Sequence, residues 1–294
     1  MSKAKALLLA ARPKTLPAAV CPVVAGSALA WRLEHQFSWL LATATLLSTI
    51  AIQVATNYFN DAVDAAKGAD TSARLGPVRA TAAGLVSRRT MMLAGCIAAL
   101  VAAAFSVPLV MERGWPIVLI GIVSLFFSYG YTGGPWPLAY RGLGELFVLI
   151  FFGLVAVTGT VFVQTGHWRA EGLVLGLQIG SLSTALIAIN NLRDIEEDRR
   201  SGKRTLAVRF GVKWARWMIA GWCLLPFFAD PGWMRWGMNN GSDGTALTTI
   251  ICGGAIIIGI WRSPPSREYN KFLALTAAYL LMWTYFFTTA CLKV

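Results

Sequence analysis

Apolar residues run in long blocks along this chain, and polar residues gather between the blocks. Nine stretches, roughly 16–33, 38–60, 90–111, 115–132, 143–164, 172–192, 214–230, 245–262 and 270–291, come close to the ~20 mostly apolar residues that a spanning helix needs. The fourth and seventh are the weakest, being short or interrupted. The pattern predicts an all-α, polytopic membrane protein of nine transmembrane helices around a central cavity. One integral domain covers 1–294, with helices 1–4 carrying a first acidic motif and helices 5–9 a second.

The two motifs are the exceptions to the apolar pattern. Residues 57–70 hold Asn57, Asn60, Asp61, Asp64, Lys67 and Asp70 at the end of the second stretch. Asn57, Asn60, Asp61 and Asp64 fall at i, i+3, i+4 and i+7 and so share a helix face. Residues 190–198 repeat the theme with Asn190, Asn191, Arg193, Asp194 and Asp198. A carboxylate at a helix centre costs about 2.5–3.5 kcal/mol on insertion scales, so two acidic faces exceed what lipid-buried structure requires.

Composition agrees with a membrane protein. Charged residues make up only 14% of the chain, against about 25% in soluble domains. Mean hydropathy is +0.59. The net charge of +12 does not point to nucleic acid, because the basic residues sit between apolar stretches, where a bilayer-facing role accounts for them. Arg12, Pro13, Lys14 and Pro17 interrupt the N-terminal apolar run, which argues against a cleaved signal peptide. Cys21, Cys96, Cys223, Cys252 and Cys291 lie in or beside apolar runs without a CxxC pair, and read as small buried hydrophobes.

Nine spans place the termini on opposite sides. With the N-terminus in the cytoplasm, 21 of the 26 Lys and Arg residues fall on cytoplasmic connections. Stretches two and six then both run toward the cytoplasm and both end in an acidic motif, followed by the basic loops 65–89 and 199–213. The halves read as a parallel repeat whose motifs face each other across one cavity. Trp31, Trp39, Trp115, Trp136, Trp168, Trp214, Trp233 and Trp261 lie near the expected boundaries as an aromatic belt. Gly133-Gly134-Pro135-Trp136-Pro137 reads as a loop.

Carboxylates with carboxamide oxygens, and no His or Cys nearby, favour a hard ion such as Mg²⁺, which is commonly held by one or two carboxylates plus substrate phosphates. His35 and His167 are expected on the far side. Two such clusters can clamp a diphosphate, with Lys67, Arg74, Arg79, Arg193, Lys203 and Arg204 neutralising its charge. Asp70, Glu196 and Glu197 serve equally well as helix-end caps. A secondary transporter is the competing class, although its site would be expected near the bilayer midplane.

The string NxxNDxxDxxxGxD over 57–70 resembles the first aspartate-rich motif of the UbiA superfamily of membrane prenyltransferases, and DxxxD over 194–198 resembles the second. Arg12–Pro17, Gly76–Arg79 and Gly202–Leu206 resemble the branch that prenylates a dihydroxynaphthoate for menaquinone synthesis. The resemblance implies Mg²⁺-dependent transfer of a polyprenyl group from polyprenyl diphosphate to an aromatic acceptor at the cytoplasmic face of a bacterial inner membrane. It implies metal-binding roles for Asn60, Asp64, Asp70, Asp194 and Asp198, and places Asp61, Asp64, Asp194 and Asp198 at the chemistry. Asn57, Lys67, Arg79, Asn190, Asn191, Arg193, Lys203 and Arg204 become substrate-binding candidates, with Arg12 and Lys14 set toward an acceptor carboxylate. Phe126, Phe127, Tyr129, Tyr131, Phe147, Phe151 and Phe152 are candidates to line a dry route for the prenyl tail. Homogentisate, 4-hydroxybenzoate and porphyrin-type acceptors would use the same diphosphate machinery.

Overall fold

The computed structural model describes residues 1–69, 75–229 and 239–293, with backbone alone over 239–243. No strand occurs among the described residues. Helix α1 (Lys3–Ala10) starts at Ser2, whose side chain accepts from the Lys5 N–H. It stops where Pro13 bars residue 12 from a right-handed helix. Arg12 turns through φ 54°, and a single turn at Pro13–Thr15 leads into α2 (Pro17–Glu34), 49° off the preceding axis.

Ser38 caps α3 (Trp39–Ala66), Ser87 caps α4 (Arg88–Arg113), and Gly114 turns the chain into α5 (Trp115–Gly130). Helix α6 (Gly144–Thr165) carries a π-turn over Leu149–Val155. There it crosses α7 (Ala170–Arg193) backbone to backbone. A Cβ at Gly153 would stand 2.4 Å from the Gly176 carbonyl oxygen and 2.6 Å from the Gly180 Cα. The close crossing needs glycine on both helices.

Helix α7 forms the axis of the fold. Leu175, Ile179, Leu182, Ala185, Ile189 and Leu192 are buried on it, packed with residues of α2, of α9 (Leu206–Phe228), of α10 (Gly244–Arg262) and of α11 (Tyr269–Leu292). The short α8 (Ile195–Arg200) follows α7 directly.

Among the described residues, α3, α4, α6, α7, α10 and α11 are long and apolar enough to cross a membrane, and the bent α1–α2 pair makes a seventh. Helix α5 is apolar but shorter. Helix α9 lies outside that set; it breaks at Gly211 (φ 82°) and carries Arg209, Lys213 and Arg216. These are the two stretches that the sequence marks as weakest. Helix α9 begins at Leu206, capped by Thr205, well before the expected 214, and α3 runs on to Ala66 rather than ending at 60. The first acidic motif is therefore helical through Asp64.

The two ends of the bundle differ. At one end Ser38 N–H donates to Gln164 Oε1 at 2.8 Å, Arg113 Nε to the Val163 carbonyl at 2.8 Å, and Arg169 Nε to Glu34 at 2.7 Å. His35 caps α2 at this end, and His167 stands 3.4 Å from Glu34. The acidic motifs occupy the other end, a helix length of about 40 Å away along α3.

Candidate active site

The face that residues 57–64 share on α3 divides into two rows one turn apart. Asn57 and Asp61 reach flanking backbone. Asn57 Nδ2 donates to the Ala11 carbonyl at 2.9 Å, holding the bend between α1 and α2 against α3. The Asp61 carboxylate accepts from Thr81 N–H at 2.8 Å and from Ala80 N–H at 3.1 Å, using one oxygen for each. Asn60 and Asp64 form the second row and meet the connection between α5 and α6. Thr132 Oγ1 donates to Asn60 Oδ1, and Tyr140 Oη donates to Asp64 Oδ1 at 2.8 Å. All four are buried.

Asp61 thus docks the turn that carries Arg79, and both its oxygens are engaged. Asp61→Asn keeps one acceptor but loses the charge that strengthens both bonds, a change of about 1.5–3 kcal/mol. The expected result is hydrogen exchange about 10- to 100-fold faster at the amides of residues 80 and 81, with activity reduced far less than in Asp64 variants. Exchange measured by mass spectrometry on the membrane-extracted protein checks this.

The second motif is built around a buried ion pair. Arg193 ends α7 with 2% of its surface exposed. Its Nε and Nη2 meet the two oxygens of Asp194 at 2.7 and 2.6 Å, Nη2 also reaches Asn190 Oδ1 at 2.8 Å, and Nη1 reaches Asn270 Oδ1 at 2.7 Å. Asn270 in turn donates to the Leu75 carbonyl at 3.1 Å, beside the first motif. Arg193, expected as a phosphate ligand, is engaged here with Asp194 and two carboxamides. Asp198, one helical turn on, is buried and has Lys203 Nζ at 3.8 Å.

Tyr140 joins the two motifs. Its hydroxyl binds Asp64, its ring lies 4.1 Å below Lys67 Nζ and 5.7 Å from Lys203 Nζ, and its carbonyl accepts from Arg204 N–H at 3.1 Å. Lys67 also donates to the Thr132 carbonyl at 2.7 Å. Its ammonium is held below the usual lysine pKa, mainly by burial; Asp64 opposes the shift and Lys203 adds to it. One aromatic side chain thus links Asp64 and Lys67 to Lys203, which stands beside Asp198.

The remaining expected residues separate clearly. Asn191 donates to Glu145 at 2.9 Å. Arg79 is half-buried, Arg204 and Lys14 have exposed side chains, and Arg12 lies within electrostatic reach of the Tyr131 hydroxyl. Asp70, Arg74 and Trp233 lie outside the described residues. Of the seven aromatic candidates, Phe147, Phe151 and Phe152 line an apolar cavity bounded by α2 to α6. Phe127 packs against Phe147 and Phe151 from outside the cavity wall, Phe126 is exposed, and Tyr129 meets Phe59 edge-on at 5.7 Å. The α3 wall of the cavity consists of Thr45, Ser48, Thr49, Ile52, Gln53 and Thr56, the helical face that leads to Asn60.

Sequence reasoning passed over Tyr140, Thr132, Glu145 and Asn270. Glu145 carried a usable signal, a carboxylate in the first turn of an apolar stretch. Tyr140 and Thr132 carried none, since their loop reads only as a helix breaker.

The metal question turns on donor chemistry. Among the described residues, no three His, Cys, Asp or Glu side chains stand together as a ready-made cage. What is present is Asn60 and Asp64 on α3 and Asp194 and Asp198 around α8, all oxygen donors. This set fits a hard divalent ion that takes few protein ligands and completes its shell with phosphate oxygens.

Comparison with known proteins identifies the family. The model of the UbiA prenyltransferase family matches residues 19–284. The chain is 34% identical over 270 residues to 1,4-dihydroxy-2-naphthoate octaprenyltransferase of Mycobacterium leprae, covering 85% of this chain and 91% of that protein. It is 37% identical over 232 residues to the enzyme of the same name from Escherichia coli, covering 76% and 74%. The fold superposes on the apo UbiA homolog of Aeropyrum pernix with a TM-score of 0.71 at 18% identity, covering 92% and 96% of the two chains. It superposes on the Archaeoglobus fulgidus UbiA homolog bound to DMAPP and Mg²⁺ with a TM-score of 0.63 at 12% identity, covering 98% and 99%. The chain belongs to the UbiA prenyltransferase family and is a prenyltransferase.

Proposed function

We propose that the protein transfers a polyprenyl group from polyprenyl diphosphate to 1,4-dihydroxy-2-naphthoate, releasing diphosphate and carbon dioxide. In this reading the chain is a single integral-membrane unit of nine spans in a bacterial inner membrane, with α5 and α9 as the remaining two. The basic loops and the site face the cytoplasm. The observation that carries the reading is the Tyr140 junction, where Asp64 and Lys67 of one motif meet Lys203 and Asp198 of the other. Relatives named for the naphthoate reaction support the choice of acceptor.

Each residue then has a task. Asn60, Asp64, Asp194 and Asp198 hold Mg²⁺, which supplies positive charge to the diphosphate oxygens. Lys67 and Lys203 neutralise the charge that grows on the leaving group as the allylic C–O bond opens, the kind of fixed electrostatic aid that dominates many catalysed reactions. Arg193 holds the Asp194 carboxylate in place through both its oxygens. Asp61 and Asn57 dock the turn and the bend that flank the site. The tail lies in the apolar cavity past Phe147 and Phe151, shielded from water. Arg12 meets the acceptor carboxylate. The ring attacks through its carboxylate-bearing carbon, and departure of carbon dioxide restores aromaticity, so the balance of atoms requires no protein base.

Mass spectrometry of products from purified protein in lipid, given one polyprenyl diphosphate and a panel of aromatic acceptors, tests the proposal. The expected product is a prenylated naphthoquinol that has lost the carboxylate carbon, formed only with Mg²⁺ present. Exclusive prenylation of homogentisate or 4-hydroxybenzoate would overturn the acceptor assignment.

A further inference from the structure

Glu145 opens α6 with 1% of its surface exposed. One carboxylate oxygen, Oε1, accepts from Asn191 of the second motif at 2.9 Å. The other, Oε2, is buried and has no hydrogen-bond partner. A buried carboxylate oxygen left unpaired is costly, and such atoms are rare unless a ligand completes them.

The surroundings indicate which ligand. Phe147, two residues along, stacks on Phe151 at 4.4 Å, and both line the apolar cavity. Tyr131 tilts onto Phe147 at 5.1 Å, and its hydroxyl packs over Gly144, where a Cβ would stand 2.9 Å from it. Lys203 and Arg12 lie within electrostatic reach of this group, Lys203 of Glu145 and Arg12 of Tyr131. Glu145 is thus two residues from Phe147 of the cavity wall and within electrostatic reach of Lys203, near the junction of a cavity suited to an isoprenoid tail and lysines suited to a diphosphate. The allylic carbon must fall at that junction, and the acceptor ring must stand beside it.

We propose that Oε2 of Glu145 accepts a hydrogen bond from a ring hydroxyl of the acceptor and thereby selects hydroxylated acceptors and sets how the ring faces the allylic carbon; this rests on the prenyl transfer proposed above. No bond to Glu145 forms or breaks. The ring carbon bonds the allylic carbon, the C–O bond to diphosphate opens, and the electron pair of the departing carboxylate returns to the ring as carbon dioxide leaves. The hydroxyl proton stays on the acceptor and is shared with Oε2, which raises electron density in the ring as it attacks.

The test compares wild type and Glu145→Gln, using the acceptor that wild type prenylates and the mono-O-methyl ethers of that acceptor. The carboxamide keeps an oxygen for Asn191 and places an NH₂ where Oε2 stood. The expected result is a loss of about 10- to 100-fold in kcat/KM for the acceptor, the scale of a hydrogen bond to a charged group, with KM for polyprenyl diphosphate unchanged. One methyl ether shows a similar loss on wild type and almost no further loss on Glu145→Gln. Full multiplication of the two losses, or a parallel rise in KM for the diphosphate, overturns the proposal. If Glu145→Gln does not accumulate, wild type alone decides: undiminished use of both methyl ethers overturns it. If wild type prenylates no aromatic acceptor, the functional reading fails together with this inference. If it does so but the ether and the variant act independently, only this inference fails.

Discussion

Asp64→Ala and Asp198→Ala each lower prenyl transfer by about 10²–10³-fold or more, the range reached when one transition-state electrostatic contact is removed, while the protein stays folded in the membrane. Both carboxylates are buried. Asp64 accepts from the Tyr140 hydroxyl, and Asp198 has the half-buried Lys203 at 3.8 Å. Alanine at either site leaves behind a hydroxyl or an ammonium that can turn to solvent, so the structural cost is small beside the catalytic one. Product formation in isolated membranes, normalised to the amount of full-length protein, checks the result. Retention of more than a tenth of wild-type activity in either variant would sink the assigned roles. Added Mg²⁺ partially restores Asp64→Asn, which keeps one oxygen donor, and does not restore Asp64→Ala.

Asp194 makes a poorer test of the same idea. Its removal strands the Arg193 guanidinium in a site with 2% exposure, and loss of activity would then mix loss of a ligand with loss of fold. Sequence spacing alone ranks Asp64, Asp194 and Asp198 as equivalents, because helical periodicity reports which face a residue occupies and not what it meets there. The same limit explains Asp61. Its position beside Asn60 marks it as part of the acidic face, but the turn at residues 80 and 81 that uses both its oxygens lies some twenty positions away in sequence.

What was legible followed from local physics. Long apolar blocks gave the helices, and polar clusters in oil gave the motifs. The weak fourth and seventh stretches gave the two helices that fall short of an apolar span. What was illegible depended on distant pairs. Tyr140 meets Asp64 across 76 positions, and Asn270 meets Leu75 across 195. Nothing in a loop read as Gly-Gly-Pro-Trp-Pro announces that a tyrosine three residues on will carry two lysines on its ring. Arg193 shows the same limit from the other side. An arginine beside an acidic motif reads as a phosphate ligand by its chemistry, and only its burial shows the fork already filled.

That filled fork makes Arg193→Met the most destabilising single change expected in the molecule. Removing one partner of a buried pair typically costs about 3–5 kcal/mol, because the remaining charge is buried without compensation. Here Asp194 would lose the Nε and Nη2 donors of Arg193, and Asn190 and Asn270 would lose their bonds to the guanidinium as well. Arg193→Lys rescues little, since one ammonium cannot span two carboxylate oxygens and two carboxamides in the geometry of the planar guanidinium. A thermal-unfolding midpoint in detergent lowered by many degrees is the expected reading for both variants. The double change Arg193→Met with Asp194→Leu separates stability from chemistry. Replacing both charges with apolar side chains of similar volume is often neutral or stabilising in a buried site. The double variant therefore recovers most of the lost midpoint and still forms no product, because Asp194 is gone. An active double variant would show that the pair serves the fold alone, and that the second motif acts through Asp198 without Asp194.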